Sequence, residues 1–410
     1  MKQQANQVSL TSGVVTLICC LLFPTRLLGQ GAPDIVWSRS DHTNAVNSVV
    51  YSLDGSLVAS GSSDGTIRLW QASNGNPIII LTNQNTGVLQ VAFSGNGNLA
   101  SWDETNALRV WQVSNGVVAR EQAIPRVFVD RTAFSSQGDM FAAMGGYDFA
   151  TNDTLYVWRV SDGTLLKKFV PDQDASPAFS PDGQMIAAGL HIAESYRMYV
   201  WQLSDGALVG TFTNYQSGIS LYGAPVFSPD SANIAALTGP YGGTEIWGIA
   251  SGSLRGLIPE ETGAPGQSVY VKLLVFTPDG KIAIMSDRDD KIRIWRVSEG
   301  QEIVRLALYD VETAGINALA ASPKGGLFTF GRQDGKVIVA RIPLFVTEAR
   351  RSATQFVLQW TGGSGLYQLQ QRTNLSVGSW ENEGGPTTAL GFTNDLLLGS
   401  VFYRVQSLSN

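Results

Sequence analysis

The chain has 410 residues, with 28 Lys and Arg against 34 Asp and Glu and a formal net charge of −6. Only 15% of the residues are charged while 44 are glycine, a balance that suits a turn-rich β-protein and leaves no electrostatic footprint for nucleic acid. Two adjacent cysteines, Cys19 and Cys20, and two histidines, His42 and His191, exclude most thiol, zinc and histidine-dyad chemistry.

Lys2 precedes an apolar run, Gly13–Phe23, which is followed by Pro24, Arg26 and the small residues Gly29, Gly31 and Ala32. Spanning a bilayer takes about 20 apolar residues, whereas a run this short matches a signal-peptide core. Residues 1–31 are therefore expected to be an export signal, cut after Gly29 or Gly31, with no membrane span left after its removal. Cleavage takes both cysteines away, so no disulfide framework remains. That favours a bacterial envelope protein, whether periplasmic, cell-surface or secreted.

Beyond this segment one phrase recurs: Arg68-Leu-Trp70, Arg109-Val-Trp111, Tyr156-Val-Trp158, Tyr199-Val-Trp201, Glu245-Ile-Trp247 and Arg293-Ile-Trp295. A second phrase precedes each of them, as in Val91-Ala-Phe-Ser94, Pro177-Ala-Phe-Ser180 and Pro225-Val-Phe-Ser228, and returns a seventh time as Leu319-Ala-Ala-Ser322. Tight-turn chemistry separates the strands, as in Pro181-Asp-Gly183, Ser73-Asn-Gly75 and Ser204-Asp-Gly206. Asx-Gly pairs supply the positive φ that two-residue hairpins need. Each unit reads as a four-stranded antiparallel meander.

These units resemble the WD40 repeats of β-propellers. The resemblance implies a buried network of an Asp six residues before the Trp, a His before the inner strand and a Ser or Thr. His42, Ser60, Asp64 and Trp70 match it in the first unit, and Asp289 with Trp295 match the Asp–Trp spacing in the sixth. Thr105, Asn152, Ser195 and Tyr241 stand at the Asp position of units two to five, which are expected to rely on apolar packing. The seventh unit lacks an outer strand because Pro343 follows directly, and Ile35-Val-Trp37 aligns with an outer strand. The expected fold is all-β: a seven-bladed WD40-like propeller over residues 32–342, closed by the N-terminal strand, with a small C-terminal β-sandwich. Closure would remove edge strands that invite aggregation.

Residues 343–410 leave the repeat and carry short alternating strands such as Phe356-Val-Leu-Gln-Trp360, Tyr367-Gln-Leu-Gln370 and Phe402-Tyr-Arg-Val405. This tail resembles the fibronectin-III-like or immunoglobulin-like modules of exported bacterial proteins.

In a propeller of this order the loops between the second and third strands, and those before each inner strand, share one face. The length variation falls there, with Tyr147, Phe149, Tyr196, Arg197 and Tyr241 in the former loops and Tyr215, Tyr222 and Tyr270 in the latter. Aromatic residues on variable loops of a rigid scaffold make binding surfaces. Asp130, Arg131 and Lys272, at the starts of inner strands, are expected at the channel mouth, where they would offer a grip for an anionic group. The expected function is non-catalytic binding of a protein or peptide, or else of a glycan, with no cofactor and no metal. The rival reading is an exported hydrolase or lyase cutting polysaccharide through carboxylates such as Asp130, Asp172, Asp174 and Glu194.

Overall fold

The computed structural model describes residues 7–10, 30–31, 33–82, 86–124, 127–145, 154–171, 175–192, 195–214, 224–237, 243–258, 271–287, 291–297, 304–310, 314–343, 345–351, 355–361, 367–372, 381–382, 385–387, 391–395 and 401–407. They form strands and turns, with no helix among the described residues.

Blade one shows how local chemistry makes the meander. Its strands are Val46–Tyr51, Leu57–Ser62, Ile67–Gln71 and Pro77–Leu81, each antiparallel to the next. At the first turn Ser52 Oγ donates to Asp54 Oδ1 at 2.6 Å and accepts from Leu57 N at 2.9 Å, while Gly55 takes φ 66°. The same Ser/Thr–Asp turn returns at Ser180–Asp182 and Thr277–Asp279, each closed by a 2.6 Å hydroxyl–carboxylate bond, and again at Ser228–Asp230. Such turns exploit the ability of Asp to bond the backbone two residues on.

Five consecutive meanders begin at Val46–Tyr51, Val88–Phe93, Val127–Phe134, Ala175–Phe179 and Val226–Phe227. The sixth begins at Val271–Phe276 and carries Gln30–Gly31 as an added parallel strand beside Val304–Asp310. The seventh consists of Ile316–Ala321, Leu327–Arg332 and Val337–Arg341, with Asp34–Arg39 antiparallel to the last of these. Middle strands are buried on both faces, as in Leu99–Asp103, where every residue is buried. Outer strands such as Val117–Ala123 alternate between exposed and half-buried positions.

One apolar cluster lies at each blade junction. Leu69 and Leu81 of blade one meet Phe93 and Trp111 of blade two; Trp102 of blade two meets Phe141 and Trp158 of blade three. Phe169 meets Trp201, Phe212 meets Ile249, and Ile258 meets Trp295 at the next three junctions. Between blades six and seven Ile294 and Tyr309 pack with Phe328, Phe330 and Ala340, the residue at the Trp position. Trp37 and Val339 pack with Val49 and Trp70 between blades seven and one. Each blade tryptophan thus packs back on the preceding blade, and the architecture is a seven-bladed β-propeller.

Two glycines mark close approaches in this ring. Gly331 faces blade one so closely that a Cβ would lie 2.5 Å from Val46 Cγ1. Gly75, at φ 69°, sits beneath Trp37, and a Cβ there would lie 2.6 Å from the indole.

After the ring, Phe345–Arg351, Gln355–Thr361 and Gly391–Asp395 form one antiparallel sheet. A second sheet has Val401–Ser407 between Gln7–Leu10 and Tyr367–Arg372, with Glu381–Asn382 beyond. Gln7–Leu10 and Gln30–Gly31 both fall in the segment read as an export signal. Each pairs with a strand edge whose N–H and C=O groups would otherwise face outward.

Candidate binding face

The strand pairings put the turns between first and second strands, and between third and fourth, on one face. The remaining connections emerge on the other. Tyr147, Phe149, Tyr215, Tyr222, Tyr241 and Tyr270 fall in those remaining connections, and all lie outside the described residues, as do Asp172, Asp174, Glu194 and Asp289. Asp130 and Arg131 lie in the strand Val127–Phe134, between the paired positions Val127 and Thr132, where the register shifts.

Tyr196 departs from the expectation. Blade four has no large loop here. Its strands Met185–Ile192 and Ser195–Gln202 run on, with His191 opposite Tyr196, so the extra residues lengthen a hairpin. The alternating apolar residues Tyr196, Met198 and Val200 continue the strand pattern and are all buried. Tyr196 therefore points into the junction with blade five. Its hydroxyl donates to Glu245 Oε2 and accepts from Trp247 Nε1 at 2.9 Å. Arg197 is half-buried, donating from Nη1 to Tyr199 Oη at 3.1 Å with its guanidinium 6.0 Å from the Tyr199 ring centroid.

Three polar residues near the starts of inner strands act as staples. Lys272 Nζ donates to Ile316 O and Asn317 Oδ1, both at 2.8 Å, tying blade six to blade seven. Asn47 Nδ2 donates to Val88 O at 2.9 Å, and Gln90 Nε2 to Thr132 O at 2.9 Å, tying blades one to two and two to three. The cavity that Asn47 and Gln90 border measures about 730 Å³ and is lined by inner strands of all seven blades. Its wall is mostly small or apolar, with residues such as Val50, Ala92, Pro177, Pro225 and Leu273.

In blade one the residues of the expected network are in hydrogen-bond contact. Trp70 Nε1 donates to Ser60 Oγ at 3.0 Å, Ser60 Oγ lies 2.8 Å from His42 Nε2, and His42 Nδ1 lies 2.9 Å from Asp64 Oδ2. Neutral His42 with its proton on Nδ1 satisfies every member, because Ser60 then donates to Nε2 and Nδ1 donates to Asp64. Burial lowers the His42 pKa from its ordinary 6.5, against the bond and charge of Asp64. For Asp64 burial acts upward, but bonds from Thr66, Thr43 and His42 and the His42 charge hold it down at about 2. Both groups titrate below their unfolded values, so the folded chain binds fewer protons and loses stability on acidification. The loss begins below pH 6.5 for His42 and runs from 3.8 towards 2 for Asp64. Thermal melts from about pH 8 to 5 are expected to show the first loss in wild type and a flatter profile in His42→Gln. An unchanged slope would assign the titration to another group.

Blade two keeps the same indole bond, with Trp111 Nε1 donating to Ser101 Oγ at 2.8 Å, whereas blades three to five solve the packing problem differently. The residue two before the Trp faces the middle strand, as Arg68 opposite Ser60 and Arg109 opposite Ser101. In blades three and four Tyr156 faces Ala143 and Tyr199 faces Ala188. With no hydroxyl to receive the indole N–H, these tyrosines stack on the tryptophans, Tyr156–Trp158 at 5.5 Å and Tyr199–Trp201 at 5.3 Å, each pair inclined by 22°. In blade five Ala236 faces Glu245, and the indole of Trp247 donates to Tyr196 Oη and to Glu245 Oε2, the latter at 3.1 Å. The sixth tryptophan, Trp295, is buried against blade five.

Blade two contains a charged group that the repeat pattern does not reveal. Asp103 is fully buried and its Oδ1 accepts from Thr105 N, Thr105 Oγ1 and Ala107 N at 2.9, 2.6 and 3.0 Å. Its Oδ2 pairs with Arg109 Nη1, and Arg109 reaches Glu121 through Nε at 3.1 Å and Nη2 at 3.2 Å. The turn Asp103-Glu-Thr-Asn106, with Asn106 at φ 61°, is the signal that could have found it. Among the described residues no group of three or more His, Cys, Asp or Glu is placed to hold a metal ion.

Residues 34–71 match the WD domain, G-beta repeat family. That span takes in the strand Asp34–Arg39 and most of blade one, including the whole Trp70–Ser60–His42–Asp64 network. The chain is also similar to periodic tryptophan protein 2 of Arabidopsis thaliana, with 30% identity over 159 residues, which is 33% of this chain and 18% of that protein. The aligned part is thus less than a fifth of that relative. WD40 propellers are commonly scaffolds for protein interaction.

Proposed function

We propose that this chain is an exported, non-catalytic WD40-type propeller that holds a protein or peptide partner on its long-loop face. The observation that carries the reading is the one-sided distribution of connection length. Residues 146–153 and 238–243 join second to third strands, and 215–225 and 259–270 lead into inner strands, whereas first-to-second turns stay short. Tyr147, Phe149, Tyr215, Tyr222, Tyr241 and Tyr270 belong to those long connections. Tyrosine gives large contact area and a polar handle for little entropy, which suits recognition better than catalysis. Tyr196, Arg197 and Lys272 are left out because their contacts serve folding.

The strand Asp34–Arg39 acts in this reading as the clasp that keeps the face in one piece. The two sheets after the ring serve as a fibronectin-III-like or immunoglobulin-like spacer. Export would release residues 1–31, freeing the edges that Gln7–Leu10 and Gln30–Gly31 cover in the uncleaved chain.

A pull-down from an envelope extract, comparing wild type with Tyr147/Tyr215/Tyr241→Ala, tests the reading. A partner held by wild type and lost by the variant, with both melting alike, is the expected result. A partner held equally by both would move the binding surface away from these loops. N-terminal sequencing of the exported chain should begin at residue 30 or 32, and an intact Met1 would end the export part of the proposal.

A further inference from the structure

Three Asn-Gly pairs stand in described turns: Asn74–Gly75, Asn96–Gly97 and Asn115–Gly116. At such a pair the glycine nitrogen can reach the asparagine side-chain amide, since no Cβ obstructs the approach. Inside a folded protein the attack waits on local opening of the turn, so the grip on each turn sets its rate.

The three turns are gripped unequally. Gly75 is buried beneath Trp37, and Arg39 donates from Nε to Gly75 O at 2.7 Å and from Nη2 to Asn74 O at 3.4 Å. Opening this turn means lifting the N-terminal strand. Gly116 lies against the outer strand of blade one, where a Cβ would come 2.9 Å from Ile79 Cδ1. Asn96 and Gly97 are both exposed at the tip of blade two, and nothing lies within 4 Å of a Cβ built on Gly97. The tie to blade three is made one residue earlier, by Gly95 N to Gln137 O at 2.9 Å, and Gly97 N bonds within its own turn, to Ser94 O at 2.9 Å.

We propose that Asn96 is a site of spontaneous deamidation in the folded protein, converting well ahead of Asn74 and Asn115. The deprotonated Gly97 nitrogen attacks Asn96 Cγ, a new N–Cγ bond forms, and the Cγ–Nδ2 bond breaks with release of ammonia. Water then opens the cyclic imide at one of its two carbonyls, giving Asp or isoAsp. The net change is amide plus water to carboxylate plus ammonium, with no oxidant or reductant.

The turn accommodates the Asp product. Asn96 uses its Oδ1 to accept from Ser94 Oγ and from Asn98 N, the latter at 3.2 Å. Asp54, Asp182, Asp230 and Asp279 make the same pair of Oδ1 bonds at the equivalent turns of four other blades, the backbone bond falling at 3.0, 3.0, 3.0 and 3.1 Å. Deamidation to Asp therefore adds a negative charge to the short-turn face without cutting a bond that holds the blade. IsoAsp inserts a methylene into the backbone and does not fit this turn.

The full chain, kept folded in mildly alkaline buffer and digested at intervals, reads the three sites together by mass spectrometry. Asn96 is expected to convert roughly tenfold faster than either other asparagine, and the three rates should converge in denaturant. Conversion of Asn74 or Asn115 at the rate of Asn96 would overturn the proposal, as would no conversion at Asn96. Asn96→Asp is expected to melt with wild type, and a clear loss of stability would refute the accommodation of the product.

Discussion

Replacing Trp37 with alanine is expected to destabilise the protein by about 3–5 kcal/mol, and removing residues 32–40 to unfold the ring. Trp37 is 6% exposed and fills the junction of blades seven and one, with its ring centroid 6.2 Å from that of Trp70. Its Nε1 donates to Ala72 O at 2.8 Å, so alanine leaves a buried carbonyl unpaired beside a cavity. Gly75 was shaped by the same contact, lacking a Cβ where the indole lies. Truncation goes further, because it strips the backbone partners from Val337–Arg341 and exposes a strand edge. Urea denaturation of the three proteins measures the effect. A truncated chain that unfolds at the wild-type midpoint would mean that the ring does not depend on this strand.

Asp103→Ala is expected to destabilise by about 3–5 kcal/mol as well, since it removes one partner of a buried pair. The carboxylate closes its turn through Thr105 and Ala107 and neutralises Arg109, which is 8% exposed. Alanine loosens the turn and leaves the guanidinium with Glu121, whose side chain is 53% exposed. Asp103→Asn keeps an acceptor for the turn and should lose about half as much, while Glu121→Ala should cost about 0–1 kcal/mol because that partner is in water. Burial acts to raise the Asp103 pKa, yet the bonds from Thr105, Arg109 and Ala107 and the Arg109 charge hold it below the usual carboxylate value. Its contribution is therefore present above pH 3.8 and fades as the pH falls through the depressed value. Equal urea midpoints for wild type and Asp103→Ala would show that the pair holds nothing.

The propeller was legible because its signals are local and repeated. Trp phrases, Asp-Gly and Asn-Gly turns and small middle strands each follow from nearest-neighbour chemistry. The blade-one network was legible from His42, Ser60, Asp64 and Trp70 because each keeps its place in the repeat. Asp103 was hidden because it stands two residues earlier than Asp64 does in blade one, at the position of Ser62. Its partner Arg109 occupies a position that Tyr, Glu and Arg share among the blades. Tyr196 was misplaced for a different reason. Extra residues between two strands read as a loop, and only the burial of Tyr196, Met198 and Val200 reveals a longer hairpin. Contacts between blades, such as Tyr196 with Glu245, depend on two distant segments and leave no mark within either repeat.

Amide hydrogen exchange along Asp34–Arg39 tests the closed ring most directly. In the full chain these amides are expected to exchange as slowly as those of Pro77–Leu81, the matching outer strand of blade one, and Trp37→Ala should accelerate them together with Val337–Arg341. Fast exchange at Asp34–Arg39 beside a protected Val337–Arg341 would contradict a ring held shut by this strand.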